Sequence, residues 1–216
     1  MPLEYASAER LDRYIDSHID PEPENLRRLN RRAQIQLLYG RMCSGHLQGR
    51  LLTMLTRMIG PRRVLEIGAY AGYSALCLAE GLPEGGEVHT VEIDDELEDF
   101  IRRGFDESPY GRRVTLHIGD AMTIVPQLGG EWDLVFIDGN KRGYVDYYKM
   151  VLPRLAKGGY IFADNTLWDG KVVDLEANRD AQTRGVAEFN DIVAADPAVE
   201  RVILPLRDGL TIIRKK

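Results

Sequence analysis

Arg63-Val-Leu-Glu-Ile-Gly-Ala-Tyr-Ala-Gly-Tyr-Ser-Ala-Leu76 is the stretch that organises the chain. Val64, Leu65 and Ile67 make a short apolar strand, Gly68 to Gly72 a glycine-bracketed turn, and the run after Ser74 opens a helix. Glycine at both ends lets the backbone turn tightly and come close to a ligand. The free amides at the start of the helix face the same place. Such a unit usually serves a small cofactor at the carboxyl end of a central parallel strand.

A dinucleotide fingerprint requires G-x-G-x-x-G, and this turn offers only Gly68-x-x-x-Gly72. It also places an acid, Glu66, just ahead of the first glycine. A carboxylate there repels a pyrophosphate and suits an ammonium group. That points to S-adenosyl-L-methionine, which has an amino acid end and no phosphate. Taken alone, the stretch is also compatible with a plain strand–turn–helix, and acids further along the chain bear on the choice.

Beyond this unit the pattern alternates. Strands are expected at about 63–67, 87–93, 114–119, 132–138 and 158–164, and helices at about 73–82, 95–107, 121–128, 143–156 and 180–195. Strands rich in Val, Ile and Leu alternating with helices predict a parallel sheet covered on both faces. The end departs from this rhythm: Arg201–Leu206 and Leu210–Ile213 flank Asp208-Gly209, a hairpin signal. The expected fold is therefore α/β and Rossmann-like, a mostly parallel seven-stranded sheet closed by an antiparallel C-terminal hairpin, the plan of class I methyltransferases.

Upstream, residues 1 to about 38 are charge-rich and helical in pattern. Leu11, Tyr14, Ile15 and His18 recur at helical spacing until Asp20-Pro-Glu-Pro23 breaks the run. Arg27, Arg28, Arg31 and Arg32 are expected on a solvated helix face near Glu22 and Glu24, in preference to an RNA patch. Met42 to Gly49 is expected as a loop leading into a helix from Leu51 to Ile59. One domain is expected over 1–216, with a helical segment at 1–60 and an α/β core at 61–216.

Composition narrows the class. At 216 residues the chain has ample length for a core, and a net charge of -6 argues against a large nucleic-acid footprint. Cys43 and Cys77 have no metal-binding spacing and read as unpaired thiols. No apolar run approaches a membrane span, and the expected location is cytoplasmic.

Acids close several strands. Glu92 ends the second, where a carboxylate can accept both ribose hydroxyls. Asp94 and Asp95 beside it read as helix caps. Gly119-Asp120-Ala121 ends the third, where an acid and a small residue can border an adenine. His89 and His117 lie within strand patterns and read as structural. The fourth strand ends in Asp138 and the fifth in Asp164-Asn165, which adjacent strands would bring to one rim. Two carboxylates and an amide oxygen make a hard, all-oxygen set suited to Mg²⁺ or Ca²⁺. Singly, Asp138 is also a turn former before Gly139, and Asp164-Asn165 a helix cap.

Together these residues resemble the cation-dependent class I O-methyltransferases typified by the caffeoyl-CoA and catechol enzymes. The resemblance runs from the Met42 loop to Asp208-Gly209-Leu210. It rests on Val64–Ser74, Gly119–Ala121, Phe136-Ile-Asp138-x-x-Lys141 and Asp164-Asn165-Thr-Leu-Trp168-x-Gly170. It implies cofactor contacts at Met42, Ser44, Glu66, Gly68, Gly72, Ser74, Glu92, Asp120, Ala121 and Asp138. It implies metal ligation by Asp138, Asp164 and Asn165, and substrate contacts at Lys141 and Trp168. Lys141 would be the base, working with Asp138 on a catechol-like vicinal diol or its CoA thioester that a divalent cation helps to ionise. One departure is Asp138-Gly-Asn140-Lys141, where many members carry a further acid at the third place. The alternative substrate is a 5-hydroxyuridine in tRNA, and a homodimer is expected.

Overall fold

A computed structural model describes residues 8–216. Seven strands form one sheet: β1 (Arg63–Ile67), β2 (Glu87–Glu92), β3 (Val114–Ile118), β4 (Trp132–Ile137), β5 (Leu155–Asp164), β6 (Val199–Leu204) and β7 (Leu210–Lys215). Their order is β3-β2-β1-β4-β5-β7-β6. β1 pairs in parallel with both β2 and β4, so the chain reverses its winding between β1 and β4. At such a switch point the loops leaving two neighbouring strands diverge and open a crevice. β7 runs antiparallel between β5 and β6, as the Asp208-Gly209 signal predicts.

The strands alternate faces because side chains in extended backbone have period two. Val64, Leu134, Phe136 and Phe162 join one apolar cluster with α4 (Tyr73–Gly81), Leu52 of α3 (Gly45–Ile59) and Leu26 and Leu29 of α2 (Glu24–Gln36). Leu65, Ile67, Val135, Ile137 and Ile161 join the other with Tyr144 and Tyr148 of α7 (Tyr144–Val151) and Phe189 of α8 (Ala181–Ala195). α4 is buried nearly all round, as expected of a helix lacking a polar face. Its outlying acid, Glu80, is held by Arg50 and Arg57.

Boundaries move in several places, among them β6, which runs Val199–Leu204 where 201–206 is expected. Helix α3 starts at Gly45, so most of the expected loop at 42–49 is helical and Gln48 points from it into the core. β5 starts three residues early, and its pairing with β4 shifts register between Trp132 and Leu134. The helices expected at 95–107, 121–128 and 143–156 are each shorter and extended by tight 3₁₀ turns. Those cores are α5 (Glu98–Asp106), α6 (Ala121–Ile124) and α7. Pro126 and Pro153, neither able to donate a backbone N–H, fall in the turns that follow α6 and α7.

At the N-terminus, α1 (Ala8–Asp16) carries Leu11 and Tyr14, both largely exposed, so the periodic stripe read there does not face the core. The start of that stretch, residues 1–7, lies outside the described residues. Of the arginine cluster on α2, Arg27 pairs with Glu24 as expected, but Arg32 reaches across to Glu107 and covers the Phe100 ring. Cys43 and Cys77 are free and buried. Among the described residues no helix is long and apolar enough to cross a membrane.

Candidate active site

The crevice is built by the turns that follow β1 and β4. Gly68 has φ of 100°, and a Cβ there would collide with the carbonyl of Asp138. Only glycine lets the two turns touch. Gly72 (φ 76°) is also left-handed, but it faces away: a Cβ would strike the rings and methyls of Phe105 and Ile101 on α5. Its service is steric, and it does not line the crevice. Met42, Ser44, Gly68, Ser74 and Asp138 do line it.

Glu66 sits under this floor with no solvent exposure. Period two turns it to the α4 face, where the Thr90 and Ser74 hydroxyls are its polar neighbours. Thr90 donates to its Oε2, while Oε1 has no hydrogen-bond partner among the described residues. Burial pushes the carboxyl up to about 7, against the pull of the Ser74 and Thr90 hydroxyls. A buried acceptor with nothing to accept is costly, and a cationic donor arriving in the crevice would satisfy it.

Glu92 is placed beside the turn, as expected, but much of its carboxylate is already engaged. Oε2 accepts from the amides of Ala69 (3.1 Å) and Tyr70 (2.7 Å), and Oε1 from that of Asp94 (3.0 Å). It straps the glycine turn to β2. A carboxylate offers about four lone-pair sites, which leaves little for ribose hydroxyls. Asp94 caps the next turn through the amide of Glu96, whereas Asp95 makes no such bond. Asp120 is exposed and caps α6 through Met122, with Ala121 buried behind it; neither lines the crevice mouth at Met42. His89 and His117 stack on each other, their nitrogens 3.0 Å apart, inside the β2–β3 pair.

At the ends of β4 and β5 the acids meet. Lys141 Nζ, buried, donates to Asp138 Oδ1 at 2.8 Å and to the Tyr144 hydroxyl at 2.6 Å. Asp164 is buried, and desolvation together with the charge of Asp138 raises its carboxyl to about 6. Asn165 follows in the left-handed region (φ 56°), its amide donating to Asp164 Oδ1. Trp168 is also left-handed (φ 48°), and its indole N–H is buried without a partner among the described residues.

Three residues at this rim carry no motif. Gln48 Nε2 donates to Asp164 Oδ2 at 2.6 Å, and its Oε1 accepts from Arg207 at 3.0 Å. Arg207 also donates to the carbonyl of Ser44, so α3, β5 and the β6–β7 hairpin are knotted together. Tyr144 is the third. A polar side chain on the inward face of a helix was the one signal that could have exposed Gln48.

Both implied groups fit these residues. The unfilled Glu66 Oε1 matches an ammonium. The rim is all oxygen, and Asp138 and Asp164 repel each other in a way that a bound cation relieves. Among the described residues no cluster of three or more His, Cys, Asp or Glu is placed to hold a metal, so the set needs the Asn165 amide.

Sheet order, switch-point crevice and acid-ended strands define a class I methyltransferase. Residues 16–216 match the family model described as O-methyltransferase. The chain is 31% identical to caffeoyl-CoA O-methyltransferase 5 of Nicotiana tabacum, over 90% of this chain and 85% of that one. It is 32% identical to caffeoyl-CoA O-methyltransferase 2 of Eucalyptus globulus, over 90% and 83%. Among solved structures it is similar to the S-adenosylmethionine complex of the O-methyltransferase TomG from Streptomyces achromogenes. That match has a TM-score of 0.91 at 28% identity, over 98% of this chain and 100% of the other. It is also similar to the SAH-bound methyltransferase PaMTH1 of Podospora anserina, with a TM-score of 0.90 at 30% identity over 100% and 98%. The chain belongs to the S-adenosylmethionine-dependent O-methyltransferase family.

Proposed function

We propose that this O-methyltransferase methylates one hydroxyl of a small catechol-like vicinal diol, free or as a CoA thioester, and depends on a divalent cation. The observation that supports this best is the rim where buried Asp164 is forced beside Asp138 with Lys141 in hydrogen-bond contact. Turn-forming or capping roles would not need two acids this close in a desolvated place. When bound, the sulfonium supplies an electrophilic methyl, and the cation acidifies a hydroxyl held near it.

The protein's own residues supply placement and proton handling. Glu66 would hold the cofactor's ammonium, with Met42 and Ser44 over its methionine end. Asp120 and Ala121 would reach only its adenine end, and Glu92 the ribose through its one remaining lone pair. Asp138, Asp164 and the Asn165 amide oxygen would hold Mg²⁺ or Ca²⁺. Lys141, as the free amine, takes the phenol proton at Nζ, and Trp168 walls the substrate ring. Fixing nucleophile and methyl in line removes a large part of the entropic barrier in such a transfer. Residues 1–216 act as one domain, and we expect two copies to pair.

Chelation should abolish turnover of a catechol panel while cofactor binding, followed by calorimetry, persists. Asp164→Ala should mimic chelation at low Mg²⁺ and recover only in part at high Mg²⁺. Full turnover in a metal-stripped sample would leave the rim a structural feature. Methyl transfer to 5-hydroxyuridine tRNA, with none to any catechol, would replace the substrate.

A further inference from the structure

We infer that Tyr144 is a positioning residue for Lys141, fixing the direction from which the amine receives the substrate proton. The inference rests on the assignment of Lys141 as the base. Tyr144 has no solvent exposure, and its ring meets Phe189 edge-on, centroids 5.4 Å apart at 79°. Its hydroxyl carries one hydrogen, and the carbonyl of Asp164 lies 2.8 Å away to accept it, with that of Ile137 at 3.2 Å. With that hydrogen committed, the oxygen can only accept from Lys141, at 2.6 Å.

The geometry at Nζ follows. A tetrahedral amine bonded to Cε has three further directions. Asp138 Oδ1 takes one hydrogen and Tyr144 Oη the other, so the lone pair of the free amine is left in the third direction. When the phenol O–H breaks, its proton bonds to that lone pair and the amine becomes an ammonium, its other two bonds unchanged. Without the hydroxyl, Nζ keeps one anchor and turns about the Cδ–Cε bond. The sequence offers no motif for this, because Tyr144 reads as an ordinary core aromatic at the start of a helix.

The test is a double-mutant cycle of Tyr144→Phe and Lys141→Ala, with Tyr148→Phe as control. Tyr148 lies on the same helix and meets the same Phe189 edge-on at 5.9 Å, but its hydroxyl goes to Asp196 at 2.8 Å. Tyr144→Phe should lower kcat roughly 10–100-fold, the scale for a displaced catalytic group, with KM and cofactor affinity little changed. In the Lys141→Ala background the same change should cost almost nothing further. Tyr148→Phe should leave kcat near wild type. A second readout needs no turnover: reductive methylation followed by mass spectrometry should label Lys141 faster in Tyr144→Phe than in wild type. An equal loss in both backgrounds, or unchanged kcat and labelling, would overturn the inference. If Lys141→Ala itself keeps full kcat, the base assignment fails first, and the inference falls with it.

Discussion

Glu66 and Lys141 are ionisable groups that folding alone would not bury, and Glu66 has a partner deficit that a ligand can correct. For Glu66 the consequence is a pH dependence with a definite sign. Its folded carboxyl titrates near 7, above the ordinary value of 4.5, so the native state binds more protons than the unfolded chain between those values. Stability of the cofactor-free protein should therefore fall as pH rises from 4.5 through 7. Cofactor affinity should move the other way, because an ammonium needs the ionised carboxylate. Calorimetry at pH 6 and pH 8 should show tighter binding at the higher pH. Glu66→Gln should flatten that difference and weaken binding at pH 8 by about 1–3 kcal/mol. An affinity independent of pH in the wild type would take Glu66 out of the ammonium site.

The turn between β1 and α4 is an element held from outside itself. Three amides converge on Glu92, and Gly68 lets the turn rest on the strand beside it. Glu92→Ala leaves the buried Ala69 amide without its acceptor, which should cost about 1–3 kcal/mol of stability in urea even with no cofactor present. Gly68→Ala forces a Cβ into the left-handed region against a backbone carbonyl and should cost at least about 1–3 kcal/mol. A Glu92→Ala protein of wild-type stability that had lost only cofactor affinity would restore the simpler assignment to ribose. The strap is invisible in the sequence because Glu92 at a strand end looks the same whether its lone pairs meet sugar or backbone.

Across the whole molecule, the rim is assembled from segments far apart in the chain. Gln48, Asp164 and Arg207 come from three elements and share one hydrogen-bond chain. Gln48→Leu should weaken Mg²⁺ binding by about 10–100-fold, the usual cost of removing a partner that orients a metal ligand. Arg207→Met should do the same to a smaller extent, because the amide keeps its bond to Asp164. Titration calorimetry with Mg²⁺ checks both, and unchanged affinity in Gln48→Leu would make the chain of bonds incidental to the cation.

Local chemistry determined much of this protein without help from distant residues. The apolar runs with period two, the punctuating glycines and the Asp208-Gly209 turn each depend on near neighbours only. They set the sheet, its antiparallel end and the switch-point turn. The acids closing β4 and β5 were legible for the same reason, since a charge ending a buried run has no local benefit. Tertiary structure decided the rest. Whether Glu92 faces sugar or backbone, which way Gly72 turns, and what Gln48, Tyr144 and Arg207 hold are settled by packing, in most cases between residues twenty or more positions apart. A hydrogen bond gains its worth from a desolvated partner, and which partner arrives is a property of the packed fold.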